Sequence, residues 1–148
     1  MKKSETIGII GENLFHNILL ENRIKHKDLR NSSELREIDV YSRGNQPAYS
    51  YIRRVFSHPF DFIVNGKNIE VKTSSTKYND VCFTWYKNDK YNIDYVIGLS
   101  LNKDKTLKDI FIFDNNYVSS HKGYRANYKR IDNMPIISKK ELLKLLKK

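Results

Sequence analysis

The chain has 148 residues, with 27 Lys plus Arg against 17 Asp plus Glu, a formal charge of +10, 39% hydrophobic and 12% aromatic residues. That composition is too apolar for a disordered segment and long enough for a packed core, so one folded domain over residues 1–148 is expected. The cationic excess points to a polyanionic partner, because neutralising phosphates releases counterions; genomic bias towards Lys and Asn is the competing explanation.

Residues 4–22 read as a helix, with Ile7, Ile10, Leu14 and Ile18 on one apolar stripe and Ser4 as a possible N-cap. Gly8 and Gly11 lower helix propensity, which close packing on a sheet would explain. Residues 23–35 are polar and read as a connection. Arg36 to Tyr41 suggests a strand, Gly44 to Pro47 a break, and Tyr49 to Phe56 fits helix and strand alike.

The most informative segment is HPFDFIVNGKNIEVKTSS, residues 58–75. Asn65-Gly66 between apolar runs predicts a two-residue type I′ hairpin, since both turn positions need positive φ. The register then pairs Val64 with Lys67, Ile63 with Asn68, Phe62 with Ile69, and Asp61 with Glu70. Side chains of alternate residues share a face, so Glu70 and Lys72 project together, and Phe60, Phe62, Val64, Ile69 and Val71 form the opposite, apolar layer. Two directly opposed carboxylates repel. A divalent cation would remove that repulsion, and without one the pair should show at least one raised pKa.

Further along, Val81 to Tyr86, Tyr95 to Leu101 and Ile110 to Phe113 read as strands. Residues 119–130 are basic and loop-like. Ser138 with Glu141 forms a capping box opening a final helix that carries Leu142, Leu143, Leu145 and Leu146. The sum is an α/β protein with its sheet flanked by helices.

The lone Cys82 excludes an internal disulfide framework, fits a reducing compartment, and sits between Val81 and Phe83 as an expected core residue. No apolar run approaches membrane-spanning length, and Glu5 and Glu12 break up the N-terminal one, so neither membrane insertion nor a secretory signal is read. A cytoplasmic location is expected. There is no Gly-rich phosphate loop, and no Ser/His/Asp or Cys/His pattern supports nucleophilic catalysis.

Asp61 and Glu70, with the Val71 carbonyl between Glu70 and Lys72, are hard oxygen donors suited to Mg²⁺, with Mn²⁺ able to substitute. Such a cation lowers the pKa of water and stabilises charge at a phosphate undergoing attack. Lys72 would orient or deprotonate the water, or neutralise the phosphate. The ordinary alternative is an exposed ion-pair cluster of little energetic consequence.

An Asp followed by Glu-x-Lys on a hairpin resembles the PD-(D/E)xK nuclease superfamily, with Pro59 two residues before Asp61. Gly8 to Glu12 is similar to the Gly-x-x-x-Glu found in the first helix of many members, including Holliday-junction resolvases and small intron-type homing endonucleases. Thr73 and Ser74 after the motif, and Asp94 opening a later strand, extend the resemblance over about residues 5–101. It implies a restriction-endonuclease-like mixed β-sheet flanked by helices, and a Mg²⁺-dependent DNA endonuclease of restriction, homing or junction-resolving type. Asp61, Glu70, Val71 and Glu12 would serve the metal, Lys72 the water or phosphate, and a homodimer or higher assembly would cut both strands. The family usually places a helix between the motif strand and the next central strand, whereas residues 75–94 here read as extended. The alternative function is a non-catalytic nucleic-acid-binding module with a relict site.

Expected phosphate contacts are Arg53, Arg54, Ser74 and Lys77 around the hairpin, and Lys122, Arg125, Lys129 and Arg130 in the basic segment, where Tyr124 and Tyr128 could stack on bases. A solvated basic loop is the alternative for that segment. His58 reads as a turn residue more readily than as a phosphate ligand.

Overall fold

The computed structural model describes residues 3–30, 34–42, 49–57, 60–76, 78–85, 93–130 and 133–148, without the side chains of 3–5, 34–42 and 49–57. The expected break at Gly44 to Pro47, together with His58, Pro59, Lys77 and Tyr86, lies outside the described residues.

Helix α1 (Lys3–Glu21) already contains Ser4, so Ser4 is a helical residue and not the cap. Its buried face is Gly11, Phe15, Ile18 and Leu19, turned away from the expected stripe, of which Ile7, Ile10 and Leu14 are only half-buried. The reason is Gly11, which packs directly on Thr73: a Cβ at position 11 would collide with the Thr73 hydroxyl. Glycine therefore sets how closely helix and sheet approach.

The chain then enters β1 (His26–Asp28), where a plain connection was expected. Its hydrogen bonds come from a distant partner, β4 (Phe62–Val64), so no local pattern marks it. Strands β2 (Glu34–Ser42) and β3 (Tyr49–Ser57) pair as an antiparallel ribbon, which resolves Tyr49 to Phe56 as strand. Next come β5 (Lys67–Ser75), β6 (Asp80–Thr84), β7 (Tyr95–Leu101), β8 (Leu107–Asp114), α2 (Asn115–Ser120), β9 (Gly123–Asn127), β10 (Ile136–Ile137) and α3 (Lys139–Leu146). Residues 123–127, expected as loop, are thus a strand, paired with β6. No helix occupies the described part of 75–94; β6 stands there.

The central sheet runs β1-β4-β5-β7-β8-β10, with β5 and β7 parallel and the other pairs antiparallel. The fold is a mixed β-sheet flanked by helices, of the α/β class. Strand alternation gives the sheet two buried faces. One face packs Phe62, Val64, Ile69, Val71, Ile97 and Leu99 against Phe15 and Leu19 of α1 and Leu142 and Leu146 of α3. On the other, Val96, Phe111 and Phe113 pack against Val81, Phe83 and Trp85 of the β6 region and Ala126 of β9. Phe83 lies directly over Gly98, where a Cβ would come within 2.7 Å of its ring. Cys82, on the alternate side of β6, is exposed and not a core residue. Ser138 and Glu141 form the expected capping box at the start of α3.

Among the described residues, no helix is long and apolar enough to cross a membrane.

Candidate active site

The Asn65-Gly66 turn adopts the positive φ angles its residues allow, 48° and 79°. The register of Phe62, Ile63 and Val64 against Ile69, Asn68 and Lys67 is as expected. The pairing of Asp61 with Glu70 is not: the ladder stops at Phe62. Asp61 instead donates its backbone N–H to the Ile69 carbonyl (3.0 Å), and its carbonyl accepts the N–H of Leu29 (2.9 Å). Its side chain replaces the missing ladder residue, Oδ2 accepting the Val71 N–H at 2.7 Å. The Asp61 carboxylate is thereby delivered onto the edge of β5 with only 1% of the residue exposed. The N–H and C=O of a strand residue leave on the same edge, so the Val71 carbonyl faces the side on which Asp61 sits.

Three further charged groups act on this point. Burial first, then the Asp61 charge and a hydrogen bond with its side chain, raise Glu70 well above the ordinary carboxyl range; Lys72 opposes the shift, and Glu12 adds to it. Glu12, half-buried beside Gly11 on α1, is pushed up from 4.5 to about 7 by burial and then by Asp61, against the pull of Arg30 and Lys72. Glu12, Asp61, Glu70 and Lys72, singled out in the sequence, thus lie within electrostatic reach of one another.

The sequence did not flag Arg30. Its guanidinium lies 5.1 Å from the Phe62 ring centroid. Its Nε and Nη2 donate to the two Asp28 carboxylate oxygens at 3.0 and 2.8 Å, and Nη1 donates to Asn13 at 2.8 Å. His16 Nδ1 is 3.0 Å from Nη2. This fork holds Asp28 down at about 2, chiefly through the side-chain hydrogen bond from Arg30. The signal was Asp-x-Arg in a polar run, unreadable without knowing that β1 joins the sheet beside β4.

Among the described residues, no three His, Cys, Asp or Glu side chains already enclose a cation position. Mg²⁺ seldom needs such a cage: one or two carboxylates suffice, with water and substrate phosphate completing the octahedron. A buried Asp61 carboxylate with the half-buried Glu70 and Glu12 nearby fits that donor chemistry.

The expected nucleic-acid contacts are dispersed. Ser74 is buried, its hydroxyl accepting the Cys82 N–H at 3.1 Å, so it faces β6 and not a solvent-borne phosphate. Lys122 before β9, Arg125 on it, and Lys129 and Arg130 after it are exposed. Tyr124 packs on Phe111 and Phe113, and Tyr128 on Phe111 with its hydroxyl 2.8 Å from Ser100, so neither ring is an open platform for a base. The side chains of Arg53 and Arg54, and all of Lys77, lie outside the described residues. Asp94 ties the hairpin to β7, its Oδ2 accepting the Asn68 N–H at 2.7 Å.

No protein-family model, curated protein or solved structure matches the chain.

Proposed function

We propose that the protein is a Mg²⁺-dependent endonuclease of the PD-(D/E)xK type that hydrolyses phosphodiester bonds in DNA. The observation that carries this reading is the convergence of Glu12, Asp61, Glu70 and Lys72 on the edge of β5, where the Asp61 side chain hydrogen-bonds to the strand backbone. A crowded set of carboxyl groups with one ammonium is poorly suited to stability and well suited to a cation that arrives with a phosphate.

Asp61 and Glu70 would hold the metal, with the Val71 carbonyl as a third donor. Mg²⁺ bound there would polarise the scissile phosphate and acidify water. Lys72, whose charge acts on both Glu12 and Glu70, would orient the attacking water or neutralise charge on the phosphate. Glu12 approaches from α1 and, at a pKa near 7, can accept a hydrogen bond or a proton from that water. The formal charge of +10 draws the chain to the DNA backbone. Breaking both strands would need two such sites, and hence a homodimer or higher assembly.

The test is incubation with supercoiled plasmid and with a synthetic four-way junction, each with Mg²⁺, Mn²⁺ or EDTA. Metal-dependent nicking, lost in Lys72→Ala and Asp61→Ala, is expected. A protein that binds these DNAs but neither cleaves them nor takes up Mn²⁺ through its carboxylates is the relict binding module instead.

A further inference from the structure

Two acids of the proposed site arrive on different elements, Glu12 on α1 and Asp61 just before β4. Gly11 against Thr73 sets how closely the helix approaches β5. The apolar packing beneath is non-directional, so it does not by itself fix where along the sheet Glu12 comes to rest. A directional contact does that, and it starts at the end of β1. Asp28 pairs with Phe62, and the Leu29 N–H donates to the Asp61 carbonyl at 2.9 Å. Residues 28 and 29 are thus tied to the backbone that carries the Asp61 carboxylate, and the next residue, Arg30, reaches across to α1.

Arg30 is braced before it reaches. Asp28 Oδ1 accepts both the Arg30 backbone N–H and its Nε at 3.0 Å, and Asp28 Oδ2 accepts Nη2 at 2.8 Å. The guanidinium stands over the Phe62 ring, and the side chain is 18% exposed. Held in that plane, Nη1 donates to Asn13 Oδ1 at 2.8 Å, and Nη2 lies 3.0 Å from His16 Nδ1. Asn13 directly follows Glu12, and His16 stands four positions after it, on the same helix face. An ion pair between residues 28 and 30 is local and needs neither contact to α1. The fork makes both. Lysine could not replace it, because a compact ammonium lacks the planar array that meets Asp28 and α1 together. After Asp28, the charges of Glu12 and Asp61 both favour the charged guanidinium.

We infer that Arg30 is a positioning residue: its guanidinium, braced by Asp28, joins the turn of α1 that bears Glu12 to the segment that holds Asp61, and so sets the gap between those two carboxyl groups. It acts through Glu12 and Asp61 and not on the substrate. The inference rests on the nuclease reading for what the two acids do, and adds to it the residue that holds them in register. A loosened fork would let α1 shift along the sheet, and a displacement of about 1 Å at a catalytic group can cost a hundredfold in rate.

The test is the coupling between Glu12 and Asp61, measured as a double-mutant cycle of Glu12→Gln and Asp61→Asn in urea unfolding. It is run in EDTA at about pH 8, above the value of about 7 at which Glu12 titrates. Repulsion between two carboxylates depends on their separation, so the cycle reads the gap. Repeated in Arg30→Lys, which keeps the charge and loses the fork, the coupling should fall by about half or more. Asn13→Ala, at an exposed helix position that favours alanine, leaves the Asp28–Arg30 pair whole and should lower it in the same direction. With Mg²⁺, Arg30→Lys should lower kcat for plasmid nicking about tenfold and keep KM within about twofold. Coupling unchanged in both variants, with stability alone reduced, overturns the inference, since Arg30 would then merely hold β1. A loss confined to KM overturns it as well, because Arg30 would then be gripping DNA. The cycle needs neither metal nor DNA, so a wild-type protein that nicks nothing sinks the nuclease reading and leaves the role of Arg30 to be decided by the coupling.

Discussion

Two acidic clusters meet beside α1, and they are opposite in character. Around Asp28 every charge is answered: Arg30 clasps both carboxylate oxygens, Asn13 and His16 complete the fork, and Asp28 is held down at about 2. Around Asp61 the balance is reversed: Glu70 is raised well above its ordinary range and Glu12 reaches about 7, because burial and like charge outweigh Lys72. The first cluster is a finished ion-pair network. In the second, burial and like charge outweigh the opposing cations, a kind of perturbed carboxyl cluster that occurs preferentially at functional sites.

The sharpest way to break the contrast is to remove the charges at the edge of β5. Lys72→Ala or Asp61→Ala should lower Mg²⁺-dependent cleavage by at least about a hundredfold in a plasmid-nicking assay. Both proteins should retain a wild-type circular dichroism spectrum.

Next in size is the helix contact that brings Glu12 to the site. Gly11→Ala collides with Thr73 and should destabilise by about 1–3 kcal/mol in urea unfolding. Gly8→Ala has no atom within 4 Å of its new Cβ and should stabilise by up to about 1 kcal/mol through helix propensity. Similar effects of the two would show that α1 does not sit on Thr73 as described.

Acidity provides a finer test. Glu12 titrates near 7 when folded and near 4.5 when free, so between those values the folded state binds more protons. Metal-free protein should therefore lose stability as pH rises from about 4.5 to about 7, and Glu12→Gln should flatten that slope. Mg²⁺ or Mn²⁺ should restore stability at pH 7 by mass action. Asp28 has the opposite sign: its folded value of about 2 lies below the ordinary 3.8, so its contribution is present above 3.8 and lost as pH falls towards 2. Thermal melts against pH, with and without Asp28→Asn, read both effects.

The smallest expected effect lies away from both clusters. Ser138→Ala removes the capping box of α3 and should cost about 1 kcal/mol without altering cleavage.

What could be read in the sequence was local. Asn65-Gly66 dictates its own turn, so the register from Phe62 to Ile69 follows from a few adjacent residues, as does the Ser138–Glu141 cap. What escaped depends on distant pairing. β9 is a strand because residues 80–84 lie opposite it, and the rings of Tyr124 and Tyr128 are packed for the same reason. β1, and with it Arg30, takes its place only once β4 is formed. The Asp61 pairing was missed at the point where a side chain, not the backbone, continued the ladder. The buried face of α1 was displaced because a glycine can be the closest contact of all and contributes nothing to hydrophobic periodicity.

The tip of the hairpin also has a long-distance attachment. The Asn65 amide donates to the Leu146 carbonyl at 2.7 Å, and the Lys67 ammonium to the Lys148 carbonyl at 3.1 Å, each across 81 positions. Helix α3 leaves its last carbonyls without helical partners, and the turn answers two from this C-terminal segment. Contacts so remote along the chain are entropically slow to close, so docking of α3 should fall late in folding. A chain in which α3 has yet to dock would thus hold the turn without its clasp.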